Sequence, residues 1–199
     1  MTAIRLPSAA LLLAAALGLG ACAPTVIGAG ATAGVAAAEE RGLEGAIDDV
    51  KIRAEINHYW FQHDIEMYRQ VALTISEGRV LLTGIVPKQE ARVDAVRLAW
   101  QAVGVKEVIN EVQVGDSSVL DSGRDVVISQ KLKGRLMFDK EIRNINYTIE
   151  VVDAVVYLMG IAQNDGELER VIAHARDISG VKRVVNHVRL RNDPRRISG

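Results

Sequence analysis

The sequence predicts an α+β protein made of two tandem α-β-β-α-β domains, each a three-stranded mixed sheet packed on two helices. Self-similarity is the first observation behind this. Val80-Leu81-Leu82-Thr83-Gly84-Ile85 returns as Val156-Tyr157-Leu158-Met159-Gly160-Ile161, and Gly104-Val105-Lys106-Glu107-Val108-Ile109-Asn110 returns as Gly180-Val181-Lys182-Arg183-Val184-Val185-Asn186. Asp49-Val50 and Ile52 return as Asp125-Val126 and Ile128, and every pair is 76 residues apart, so the two copies share their loop lengths. The second observation is helical spacing: Ile52, Ile56 and Trp60 mark one face, matched by Ile128, Leu132 and Leu136. The third is a pair of alternating runs, Val71-Leu73-Ile75 and Val80-Leu82, on either side of Glu77-Gly78, which reads as a hairpin.

Residues 1–21 read as an export signal. Arg5 supplies the positive end, and Ala9 to Leu19 form an apolar run too short to span a bilayer. The following Leu19-Gly20-Ala21-Cys22 resembles the bacterial lipobox, in which the Cys thiol takes a diacylglycerol before cleavage on its N-terminal side. Cys22 is the only Cys of the chain, which excludes a disulfide framework, and acylation would remove a lone oxidisable thiol. Cleavage removes 21 of 199 residues and leaves 178, enough for two small domains. Residues 22–45 read as the acylated Cys and an Ala/Gly-rich tether. Gly28, Gly30 and Gly34 lack the spacing and preceding strand of a dinucleotide loop, so a flexible spacer is the expectation.

The first domain is expected over 46–115, a linker over 116–123, the second domain over 124–191 and a tail over 192–199. Within each domain the hairpin turns at Glu77-Gly78 or, with a weaker signal, at Asp153-Ala154. The second helix starts near Pro87 in copy one, and in copy two Asn164 with Glu167 resembles a capping box. Gly104 and Gly180 sit where a helix calls for a left-handed C′ residue. Strands over Val108 to Val114 and Val184 to Leu190 close the copies. Both strand faces are apolar: Val80 and Leu82 point one way, Leu81 and Ile85 the other, as do Tyr157, Met159 and Ile161. The second face is therefore expected to be partly buried against the other domain, a linker or another subunit, unless these are scattered exposed side chains.

The Val-x-Leu-x-Gly strands (Val80, Leu82, Gly84; Val156, Leu158, Gly160) and the Gly-Val-x-x-Val-x-Asn segments resemble the BON domain. This bacterial module occurs in osmotically induced periplasmic proteins and in outer-membrane lipoproteins. Two copies behind a lipobox are similar to tandem-BON lipoproteins over nearly the whole mature chain. The resemblance implies a lipid-anchored protein on the periplasmic side of the outer membrane, with Ala23 after the Cys compatible with that sorting. It also implies that the second domain contacts anionic phospholipid and that the protein supports envelope integrity. These motifs specify fold rather than activity.

The copies differ in charge. Residues 47–116 hold 8 Lys/Arg and 11 Asp/Glu, residues 124–191 hold 12 and 9, and the chain as a whole carries −1. A basic domain gains roughly 1 kcal/mol per Lys or Arg near an anionic surface. On a helical wheel Arg124, Val127, Lys131, Gly134, Arg135 and Phe138 lie beside the core stripe of Ile128, Leu132 and Leu136, combining cations with apolar groups suited to a membrane interface. Asp48 and Glu55 of copy one would repel such a surface. These six residues are the expected phospholipid contacts, weighed against an ordinary solvated helix face.

No catalytic constellation is read. His58 and His63 are badly spaced for a shared metal, Asp64 and Glu66 have no convergent partner, and Ser117-Ser118 lack the setting of a nucleophile. No enzyme activity, metal or cofactor is expected beyond the covalent lipid on Cys22. Export and near-neutral charge argue against a nucleic-acid partner. The competing function is an interaction protein whose sheet surfaces recruit envelope proteins.

Overall fold

The computed structural model describes residues 38–116 and 119–197. The export signal, Cys22 and Ser117-Ser118 lie outside the described residues. The first domain runs α1 (Gly42–His63), α2 (Ile65–Gln70), β1 (Val71–Ser76), β2 (Arg79–Val86), α3 (Gln89–Ala99) and β3 (Glu107–Val114). The second runs α4 (Val119–Phe138), a 3-10 turn (Asn144–Asn146), β4 (Tyr147–Val152), β5 (Val155–Ala162), α5 (Asp165–Arg176), β6 (Arg183–Asn186) and β7 (Arg189–Leu190), and α6 (Pro194–Ile197) follows.

In each domain an antiparallel hairpin precedes a parallel third strand, giving the orders β1-β2-β3 and β4-β5-β6. The third strand of the second domain breaks after Asn186 and resumes as β7 beside β5. Ile52, Ile56 and Trp60 of α1, and Ile128, Leu132 and Leu136 of α4, are buried against one face of their sheets. The Trp60 indole donates to the Ala95 carbonyl at 3.1 Å, so burial leaves no polar group unpaired there.

The hairpin turns carry the repeated Asp. Glu77 and Gly78 have φ of 57° and 76°, and Asp153 and Ala154 have 48° and 58°. Such left-handed conformations cost an L-residue roughly 1 kcal/mol or more. Asp49 offsets this by accepting the N–H groups of Glu77 and Gly78 at 3.0 and 2.8 Å. Asp125 does the same for Asp153 and Ala154 at 2.7 Å each. The weaker sequence signal at Asp153-Ala154 thus hides a turn of the same type.

Helices cover one face of each sheet, and the other faces cover each other. Leu81, Val155, Tyr157 and Met159 are buried together, with Ile109, Val152 and Val185 packed against them. The molecule is therefore layered helix, sheet, sheet, helix. Thr74 donates to Glu150 at 3.3 Å, and His187 Nε2 lies 3.0 Å from Glu111 Oε1. Both pairs join equivalent positions of the two copies, as a pseudo-two-fold axis between the domains requires. The sheet faces are thus engaged within the chain, where the sequence left them open to outside partners.

Three boundaries differ from the sequence reading. The stretch read as tether to Gly45 already contains α1 from Gly42, and Ala38 to Arg41 are docked ahead of it. α4 starts at Val119 inside the stretch read as linker. The tail carries α6. The first and third depend on the tertiary bonds of Glu40, Arg41 and Arg196, which composition does not reveal. Gly104 and Gly180 do have left-handed φ, +94° each, but lie beyond the C-caps Trp100 and Asp177, where they turn the chain toward β3 and β6. The short α2 and the 3-10 turn fall below the length that periodicity detects.

Candidate functional site

The second domain presents α4 to the outside. With Ile128, Leu132 and Leu136 turned inward, helical geometry places Val127, Lys131, Gly134 and Phe138 outward. Val127 is 52% exposed and Phe138 82%, and Met137, which sequence reasoning missed, is 60% exposed. Gly134 would meet no atom within 4 Å if it carried a Cβ, so the helix surface is open there. Lys131, Arg135, Phe138, Lys140 and His174 border a shallow depression of about 690 Å³ around it.

Its cations are not equivalent. Arg135 donates to Asp177 at 2.6 Å, and Arg124 lies 3.8 Å from Asp153, so both are partly neutralised. Lys131, Lys133 and Lys140 are exposed and make no ion pair among the described residues. Asp139 also lines the depression; it lies 2.8 Å from His174 Nε2 and accepts the Glu141 N–H. These hydrogen bonds hold its carboxyl below the usual range, so it stays ionised and fixes the end of α4 to α5. In the first domain the positions matching the six contacts hold Asp48, Lys51, Glu55, His58, Tyr59 and Gln62, and Glu55 is occupied in accepting the Val103 N–H at 2.9 Å.

The charge asymmetry has a second destination that the sequence reading did not assign. Arg143 and Arg191 reach Glu40 at 2.8 and 3.3 Å, Arg189 reaches Glu107 at 2.9 Å, and Arg196 reaches Glu77 at 2.7 Å. Arg79, with its side chain 8% exposed, joins Glu107 at 2.7 Å and the His187 carbonyl at 3.0 Å. Much of the excess positive charge on the second domain and tail therefore meets acids of the N-terminal half. Net charge alone is a poor guide to the outer face; the unpaired lysines of α4 are the better one.

Among the described residues no group of three or more His, Cys, Asp or Glu is placed to hold a metal. His58 is exposed, and His63 lies 3.1 Å from Asp94. No helix among the described residues is long and apolar enough to cross a membrane.

Residues 48–116 and 124–192 each match the family model described as the BON domain. The chain is 30% identical to "Outer membrane lipoprotein DolP" of Haemophilus influenzae over 93% of this chain and 96% of that one. It is 43% identical to "Uncharacterized protein in gshII 5'region" of Anaplasma centrale, over 73% of this chain and 97% of the other. Identity to "Osmotically-inducible protein Y" of Escherichia coli is 26%, covering 72% of this chain and 73% of that protein. Two matched modules over most of the chain, each with the strand glycine and hairpin-binding Asp described above, make this a tandem member of the BON-domain family.

Proposed function

We propose that the protein is an envelope lipoprotein, acylated at Cys22 and held on the periplasmic face of the outer membrane. Its second BON domain docks on anionic phospholipid through α4 and supports outer-membrane integrity. The observation that carries this is the exposed surface of α4 and the turn after it: exposed Val127, Met137 and Phe138 with unpaired Lys131 and Lys133 on the helix and Lys140 just beyond it, whereas α1 exposes Ile47, Val50 and Phe61 beside a Lys51 that is paired with Asp48. Apolar groups entering the interface supply area-dependent binding, and each lysine near the surface adds about 1 kcal/mol. The similarity to a protein named as an outer-membrane lipoprotein supports the compartment. Several acyl chains on Cys22 would make attachment firm where the helix face alone is reversible.

The test is co-sedimentation of an unacylated mature chain, Cys22→Ala, with phosphatidylglycerol liposomes. Because Arg135 is engaged with Asp177, charge reversal belongs at Lys131 and Lys140. The double variant K131E/K140E should lose at least about tenfold in affinity, and Phe138→Asp should do likewise. Reversal at Lys51 and Lys88 of the first domain should leave binding unchanged. Folded α4 variants that pellet like the parent would overturn the reading.

A further inference from the structure

The pseudo-two-fold axis relates two grooves between the domains, and they are not filled alike. Ile75, Ser76, Asn146 and Gly160 line one, and their equivalents Val151, Val152, Gln70 and Gly84 line the other. Glu39 to Arg41 lie in the first groove and leave about 40 Å³ free, whereas the second is open with about 410 Å³. Topology supplies the reason. At the filled end two chain segments meet, the one entering α1 and the tail leaving β7, and Arg196 bonds Glu77 and the Glu40 carbonyl there. At the open end β3 runs out through Gly115, whose N–H donates to the Val86 carbonyl at 2.9 Å, and among the described residues no second segment enters the groove.

The filled groove shows how such a cleft holds backbone. Asn146 Oδ1 accepts the Glu40 N–H at 3.1 Å, and Arg143 donates to the Ala38 carbonyl at 3.0 Å. Arg41 donates to Asp49 Oδ2 at 2.8 Å and approaches the Ile75 carbonyl at 3.5 Å, so Asp49 serves both the hairpin turn and an arginine. In the open groove Asp125 serves its turn alone among the described residues, the Val151 carbonyl replaces that of Ile75, and the Gln70 amide replaces that of Asn146. Asp125, Glu150 and Asp153 line it with Arg69; Lys182 bonds Asp153 at 2.6 Å and Arg124 lies 3.8 Å from it, whereas Asp125 makes no ion pair among the described residues.

We infer that this open groove is a docking site for a short extended segment of a partner protein, bound through its backbone and through an arginine directed at Asp125 and the Val151 carbonyl. The groove is too polar to be an apolar cleft, and its lone-pair surplus suits a guanidinium, which carries five donors and no acceptor. Position 129 differs between the copies: Ser129 lines the open groove, whereas the first domain has Arg53, which donates to the Leu73 carbonyl at 2.6 Å.

The experiment is an NMR titration of the full mature chain, Cys22→Ala, with the capped peptide Ala-Ala-Glu-Glu-Arg-Gly copied from positions 37–42. Saturable shifts should appear at Gln70, Asp125 and Val151 to Asp153. Replacing the peptide's arginine by alanine should weaken binding at least about tenfold, the loss expected for a charge-assisted hydrogen bond. Asp125→Asn should weaken it similarly by removing the charge that the arginine meets, and Gln70→Ala serves if that variant unfolds in urea more readily than the parent. The proposal is overturned by shifts confined to the filled groove or to the α4 face, by no saturation at millimolar peptide, or by equal binding of the arginine-free peptide.

Discussion

A methyl group has no room at Gly160. Its φ is +134°, and a Cβ would be driven into the Asn146 carbonyl, as one at Gly84 would be driven into that of Gln70. Both sit opposite the first residue of the neighbouring hairpin strand, Tyr147 and Val71, where the backbones close together. Gly160→Ala should therefore cost about 3 kcal/mol or more, strain and overpacking adding, read from the urea midpoint of the unacylated chain. Gly134 is the opposite case: helical, with open space around it. Gly134→Ala should stabilise by about 0.5–1 kcal/mol on the same curve, the ordinary helix gain, with the new methyl on the proposed lipid face. The crowded strand glycines were legible in the sequence because the repeat preserves them inside otherwise apolar strands. The conformation of Ala154 was not, since an alanine announces no positive φ; only its alignment with Gly78 does.

Helix α5 shows how an element is fastened beyond its own sequence. Asn164 Oδ1 accepts the Glu167 N–H at 3.0 Å, as the capping-box reading expects. Glu167, however, reaches back to the N–H of Gln163 at 2.7 Å rather than that of Asn164, and its second oxygen accepts the Arg143 N–H at 2.8 Å. A buried carboxylate thus ties the start of α5 to the loop before β4, where the first domain has Ala91 and where α3 starts at Lys88 without a side-chain cap. Asn164→Ala should cost about 1 kcal/mol. Glu167→Ala should cost about 2 kcal/mol or more, because two backbone donors lose their acceptor, and amide exchange at Arg143 and Gln163 should accelerate together. Exchange at only one of them would mean that the two bonds are not one unit. The cap was legible because its signal is local; its long-range half required knowing which loop folds onto α5.

At the scale of the whole molecule, the docked domains depend on charges that sequence composition assigned to the membrane. The sign of each domain's net charge was readable, but whether an arginine faces solvent or the other domain is set by the pseudo-two-fold packing. Glu107 is the centre of that network, between Arg79 at 2.7 Å and Arg189 at 2.9 Å. Partial burial acts to raise its pKa, but the Arg79 hydrogen bond and the charges of Arg79 and Arg189 outweigh burial and hold it below the usual carboxylate range. Separated domains would keep Arg79, which lies opposite Glu107 on β2 of the same sheet, and lose the Arg189 charge. The part of the depression that Arg189 supplies is the part linked to docking: its contribution is fully present above the ordinary carboxylate value and is lost as pH falls through the depressed one. The domains should therefore stay docked at neutral pH and loosen below about pH 4, seen as a rising distance between spin labels placed one on each domain. Glu107→Gln keeps an acceptor for Arg79 but removes the titrating charge, so it should loosen docking at neutral pH and flatten the acid-side change. Added salt should affect the Arg189–Glu107 and Arg196–Glu77 pairs only weakly, because those arginine side chains are largely buried and screening acts mainly on exposed pairs. A Glu107→Gln protein with the parent's label distance at neutral pH and the parent's acid response would show that the apolar contact of Leu81, Tyr157 and Met159 holds the domains without this network.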